Sequence, residues 1–160
     1  MAGNREEIYG DLVPITIDEI FNDYVGRRAG LIKALTIDFV SFASFAEECQ
    51  EGATDGHRNQ CLYGMATGKW EINNNDEPEL YLPEPPKCLA NIVPKGINKR
   101  ECASRVANHS DAWLLTVVND FSNRIHLFQA ERLRLHDMIA ELTTVFQVVS
   151  AYEFPVDDDN

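Results

Sequence analysis

Between Asn73 and Pro86 the chain carries three asparagines and four prolines, and no continuous helix or ladder can pass through such a stretch. Proline has no amide hydrogen to donate, and its ring holds φ in an extended range. The run reads as a stiff surface connector rather than as a ligand for proline-binding modules. It divides the sequence into two sections, each of which must find its own order.

Before the connector, Thr16-Ile17-Asp18-Glu19 has the spacing of a capping box, and Ile17, Ile20, Phe21 and Tyr24 follow at helical spacing. Gly26 is expected to interrupt this first helix, after which Leu31, Ile32 and Leu35 resume the apolar stripe. Asp38 is placed to cap a further helix that carries Phe39, Phe42, Ala43, Ala46 and Cys49 on one side, with Phe45 displaced from it. Glu51 to Gln60 is polar and reads as a loop. Cys61 to Met65 and Lys69 to Asn73 flank Ala66-Thr67-Gly68 and predict a hairpin in which the glycine supplies positive φ, with Trp70 over the helical core.

After the connector, helical order begins near Asn98. Residues 99 to 107 are weakly amphipathic, and Ser110 reads as the cap of a next helix with Asp111 in its first turn. Trp113, Leu114, Val117, Val118 and Phe121 form a broad apolar stripe. Leu133, Ile139 and Leu142 mark another helix with Arg132, Arg134, Asp137 and Glu141 on its polar faces. Val145, Phe146, Val148 and Val149 close the core as a short helix or an extended piece. The fold class is α+β and mainly helical: two helical sections around a short β-hairpin, with a proline-rich connector. Residues 1–13 read as a mobile arm, 14–152 as one domain and 153–160 as an acidic tail.

Charge narrows the function classes. Lys and Arg number 14 against 26 Asp and Glu, for a formal net charge of -12. Yet Gly26 to Thr36 holds Arg27, Arg28 and Lys33, and a second basic segment spans 87–105. Two arginines at the start of a helix resumed after Gly26 would oppose its macrodipole, so they call for an acidic partner or an internal carboxylate. The overall sign repels phosphate backbones and disfavours nucleic acid unless the basic segments form one patch. It suits basic partners, such as histone tails or basic protein surfaces.

Catalytic and metal chemistry find no motif. The cysteines at 49, 61, 88 and 102 contain no close pair of the kind that begins a zinc site, and they read as reduced, buried side chains. His57, His126 and His136 have no histidine at helical metal spacing. His109-Ser110-Asp111 has the letters of a triad, but neighbours at one helix start cannot orient one another as a triad requires. No metal, no cofactor and no enzyme is expected. No apolar run reaches the roughly 18 residues of a membrane span, and the first residues lack a secretory pattern, so a soluble intracellular chain is expected.

Several segments occur together in one order: Gly26 to Thr36, Cys61-Leu62-Tyr63-Gly64 with Lys69-Trp70-Glu71-Ile72-Asn73, Leu82-Pro83-Glu84-Pro85, His109 to Leu115 with its Trp113-Leu114-Leu115, and Thr144 to Val149. From Thr16 to Val149 the chain resembles the plant Alfin-like proteins, in which an Alfin domain precedes a zinc-binding PHD finger. The resemblance implies a nuclear, chromatin-associated regulator of transcription. It further implies that the Alfin domain associates with proteins, Polycomb-type RING proteins among them, while the PHD finger reads methylated histone H3 tails. The dense cysteine series of a PHD finger does not occur before Asn160, so histone H3 reading and zinc would both need a finger outside these residues. Glu101-Cys102 stands where relatives carry a tryptophan after Lys-Asp, and Asn119 to His126 replaces an aromatic-rich segment. If those aromatics support dimers, a homo- or heterodimer is weaker here.

Under this resemblance Arg27, Arg28 and Lys33 are the candidate charged contacts for a protein partner, and Trp113 supports the adjoining surface. The alternative is direct, sequence-specific DNA binding through segments 26–33 and 87–105.

Overall fold

Gly26 does not end the first helix, and the reason lies where that helix meets the hairpin. A computed structural model describes residues 7–8, 11–44, 60–74 and 98–155. In it, α1 (Ile17–Leu35) runs unbroken through Gly26 and Gly30. A Cβ at Gly26 would lie 1.8 Å from the Ala66 carbonyl oxygen, and one at Gly30 would lie 2.1 Å from that of Lys69. From the opposite side, a Cβ at Gly64 would come within 2.2 Å of the Arg27 carbonyl oxygen. Helix and hairpin therefore touch main chain to main chain. Each helical glycine gives up about 1 kcal/mol of helix propensity relative to alanine, and the close approach offsets it. The expected break is thus a contact, and Arg27 and Arg28 stand in mid-helix, where the dipole argument has no force.

Local capping sets the start of α1. Thr16 Oγ1 accepts the Glu19 amide at 3.1 Å, while Glu19 Oε1 accepts the Ile15 amide at 2.9 Å. The carboxylate thus reaches one residue beyond the cap. After α1, residues 39–44 are helical, with the Phe42 amide donating to the Asp38 carbonyl. Phe39 and Phe42 are buried. Phe45, Ala46 and Cys49, the polar loop as far as residue 59, the connector from residue 75 onward and basic residues 87–97 lie outside the described residues, while the first two connector residues, Asn73 and Asn74, extend the hairpin ladder.

The hairpin follows expectation. β1 (Glu7–Ile8) and β2 (Asp11–Leu12) form a minimal pair within the segment read as an arm. The main hairpin is β3 (Gln60–Gly64) against β4 (Trp70–Asn74), antiparallel with Leu62 opposite Ile72 and Gly64 opposite Trp70. Gly68 adopts φ 89° in the connecting turn. Trp70 packs edge-on against Phe42 at 6.4 Å and donates its indole N–H to Asp38 Oδ2 at 2.9 Å. The aromatic and its hydrogen bond together fix the hairpin to the residues after α1.

Past the connector the expected pair of helices is a single one. α2 (Lys99–Arg124) is capped by Asn98, whose Oδ1 accepts the Glu101 amide at 2.8 Å, and it continues through Ser110, which is buried within it. Its buried stripe is Cys102, Ala103, Val106, Ala107, Ser110, Trp113, Leu114, Val117, Val118 and Phe121. The first half looks weakly amphipathic because its inward side chains are small. Burial raises the Cys102 thiol from its ordinary 9.0 to about 11, which keeps it protonated and inert at neutral pH.

α3 (Gln129–Ala140) buries Leu135 and Ile139, whereas Leu133, expected inside, is exposed. α4 (Val145–Ala151) is a short helix that buries Val145 and Val149. Thr144 and Gln147 cap it reciprocally, at 3.0 and 2.9 Å. Packing continues past residue 152. Phe154 meets Phe39 edge-on at 5.4 Å and Tyr152 at 4.9 Å, with the Arg100 guanidinium 5.6 Å above its ring. α1, the hairpin, α2 and α4 share one core.

Gly26→Ala separates two opposed effects. Helix propensity alone would stabilise the variant by about 1 kcal/mol. A methyl driven against the Ala66 carbonyl should win, giving a net loss of about 1–3 kcal/mol in urea unfolding. A variant as stable as the parent would show that the contact is not tight.

Candidate functional site

The basic cluster on α1 is divided between the interior and the surface. Arg27, one turn after Asp23, points into the core and is 1% exposed. Its Nε donates to Asp23 Oδ1 at 2.6 Å and its Nη2 to Asp23 Oδ2 at 3.0 Å, a two-pronged pair; Nη1 donates to the Gly64 carbonyl at 3.0 Å. Asp23 is itself buried. A guanidinium is suited to this place because its planar fork matches a carboxylate and leaves a donor for a third acceptor. Arg27 is therefore an internal bridge between α1 and β3. Its reading as a charged contact for a partner is corrected: an ion so enclosed cannot reach one. The internal carboxylate is Asp23, and the spacing of four on a helix was the signal for it.

Arg28 turns the other way. Half-buried, it donates from Nε to the Thr143 carbonyl and from Nη2 to Thr143 Oγ1, both at 2.8 Å. It thus holds the residue just before the α4 cap. On α2, Asp111 accepts the Val145 amide at 2.8 Å and the Phe146 amide at 2.9 Å. The residue expected to serve the start of its own helix instead serves the start of another. Desolvation raises the Asp111 carboxyl above its ordinary 3.8, against the lowering effect of the two amides and of Arg28. Burial, chiefly, and the Asp111 charge raise Tyr24 as well. Arg28, Asp111, Thr143 and Tyr24 therefore form one junction among α1, α2 and the α4 start.

Lys33, in the last turn of α1, is exposed. Trp113 is buried and meets Tyr63 of β3 edge-on at 5.7 Å, so it supports the hairpin from beneath. The cluster thus presents Lys33 fully and Arg28 in part. Several other cations have internal engagements: Arg100 donates to the Ser150 carbonyl at 2.7 Å, Arg105 pairs with Glu101 at 3.0 Å, and Arg124 approaches Asp120 at 2.9 Å. Among the described residues no group of three or more His, Cys, Asp or Glu side chains is placed to hold a metal ion.

The family model described as Alfin matches residues 16–151. Among curated relatives, PHD finger protein ALFIN-LIKE 6 of Arabidopsis thaliana is 44% identical over 141 residues, covering 86% of this chain and 51% of the relative. PHD finger protein Alfin1 of Medicago sativa is 42% identical over 141 residues, with coverage of 86% and 51%. PHD finger protein ALFIN-LIKE 9 of Oryza sativa subsp. indica is 41% identical over 140 residues, with coverage of 86% and 47%. The chain spans about half the length of the curated relatives it matches.

Three variants test the internal wiring. Asp23→Ala strands the Arg27 charge in the core and should cost about 3–5 kcal/mol of stability. Asp23→Leu combined with Arg27→Met should recover most of that loss in thermal unfolding; equal damage from both variants would deny the pair its role. Asp111→Ala should speed hydrogen exchange at the Val145 and Phe146 amides and lower stability by about 0.5–2 kcal/mol. The pH dependence has a definite sign. A carboxyl raised in the fold binds its proton more readily there than in the unfolded chain, so its contribution is present below pH 3.8 and lost as pH rises through the folded value. The variant should lose that slope from the stability–pH curve.

Proposed function

The chain belongs to the Alfin family, and from that membership we propose that it is the protein-association module of a nuclear, chromatin-associated regulator of transcription. The observation that carries this reading is coextension: the residues matched by the family model, 16–151, are nearly those that build the shared core. What the family has in common here is therefore a whole folded unit. The contacts offered to a partner are Lys33 and the exposed part of Arg28, while Arg27 and Trp113 act from within by fixing α1 and the hairpin. Polycomb-type RING proteins are the partner class. The domain works as a binding surface rather than an enzyme and uses no cofactor of its own. Recognition of methylated histone H3, and the zinc it requires, would need a PHD finger in a longer product.

DNA binding draws little support from the layout. Arg27 faces the core, and Arg28, Arg100 and Arg105 each have a protein acceptor. Net charge adds a long-range repulsion.

Direct binding to a purified Polycomb-type RING protein checks the proposal. Lys33→Glu should weaken capture by about threefold to tenfold, the usual range for an exposed charge at an interface, with unfolding temperature unchanged. Arg28→Glu should do at least as much, with some loss of stability from the broken Thr143 contact. Undiminished capture by both variants would remove this face from the account.

A further inference from the structure

Beyond α4 the chain is held in a different way from the elements before it. The Tyr152 amide still donates to the Val149 carbonyl at 3.2 Å. After it, Glu153, Phe154 and Pro155 lie in no helix or strand and make no hydrogen bond among the described residues. Glu153 and Pro155 are exposed. One side chain therefore fastens the segment: the half-buried Phe154 ring, edge-on to Phe39 at 5.4 Å and to Tyr152 at 4.9 Å, with the Arg100 guanidinium 5.6 Å from its centre.

The seat under that ring is built by other parts of the fold. Phe39 is its floor, only 5% exposed with Phe154 in place. Phe39 packs on Phe42 at 5.9 Å, and Phe42 on Trp70 at 6.4 Å, whose indole is bonded to Asp38. Arg100 is positioned by its own bond to the Ser150 carbonyl at 2.7 Å. Floor and cation are thus fixed independently of Phe154. Together they match an aromatic ring, whose face attracts a cation and whose edge and face suit a neighbouring ring. The structure shows such an occupant, supplied by the chain itself. A segment tied by one ring and no main-chain bond belongs to the least stable part of a fold, which opens without global unfolding.

We propose that residues 152–155 are a releasable strap, and that the seat of Phe39 and Arg100 binds an aromatic side chain from an extended segment of a partner protein once Phe154 leaves. The partner's ring competes with a tethered one, so its apparent affinity is reduced by the fraction of chains whose seat is open. This rests on the reading of the domain as a protein-association module. It adds a contact that the chain itself holds shut.

A fluorescein-labelled peptide with the sequence of residues 150–156, Ser-Ala-Tyr-Glu-Phe-Pro-Val, is titrated against the full chain and against its Phe154→Ala variant, with fluorescence polarisation as the readout. The vacated seat should bind the peptide about tenfold or more tightly than the parent does. The same peptide with alanine in place of its phenylalanine should not bind. Adding Arg100→Ala to Phe154→Ala should weaken binding by about threefold or more. Equal affinity for parent and variant, or no binding to a variant that still unfolds cooperatively, would overturn the seat while leaving Lys33 and Arg28 as contacts, since capture of a RING protein is measured separately. A Phe154→Ala variant that has lost cooperative unfolding would make the segment part of the core and overturn the strap. Sedimentation supplies the last arm: a dimer of the parent that Phe154→Ala dissociates would put the strap of a second copy in each seat and overturn the partner protein.

Discussion

The three bonds of Arg27 hold together what the rest of the domain is built around. They join a helix near the start of the chain to a hairpin thirty-odd residues later, through a carboxylate on one side and a main-chain carbonyl on the other. Burying a charge is strongly unfavourable unless its partners are near ideal, so α1 and β3 cannot shift against each other without exposing a large penalty. The pair contributes definition of position more than net stability. Around it Tyr63, Trp113, Leu31 and Leu35 bring the apolar burial that stabilises the fold by roughly 25 cal/mol per Å² removed from water.

A second tier depends on that first one. With α1 fixed, Arg28 on the adjoining face can hold Thr143, and Asp111 can reach the amides that open α4. α4 has only seven residues, too few to persist alone. It exists because another helix lends it a cap and because Val145 and Val149 enter the core. The cationic cluster that stands out in an acidic sequence is thus in large part structural. One arginine fixes the hairpin, the next fixes the last helix, and the lysine beyond them faces outward.

Much of this was legible wherever a rule is local. Thr16 with Glu19, Asn98 before its helix and Gly68 in its turn each carry their signal within a few residues, and each stands as read. Misreadings arose where a remote group did the work. Gly26 resembles a helix end until a carbonyl from the hairpin is placed against it. Ser110-Asp111 has the grammar of a helix start, but a valine–tryptophan–leucine stripe on either side keeps the helix running and frees the carboxylate for α4. Leu133 and Leu135 are two residues apart on α3, and only the position of α1 and α2 decides which enters the core. The site was legible in its residue types but not in their directions: neighbouring arginines on a helix point about 100° apart, and here that separates core from surface. Phe154 gave no signal of its own, since a single phenylalanine in a segment read as an acidic tail carries no period.

The contact of α1 with the hairpin has one more consequence. It is made by carbonyl oxygens and bare Cα atoms at Gly26, Gly30 and Gly64, atoms that carry no residue identity. Outward positions on the hairpin, such as Thr67 and Glu71, can therefore change in size or charge without moving the two elements apart. The surface is free to be rewritten for new company, while the spacing beneath it is recorded in the places where no side chain is allowed.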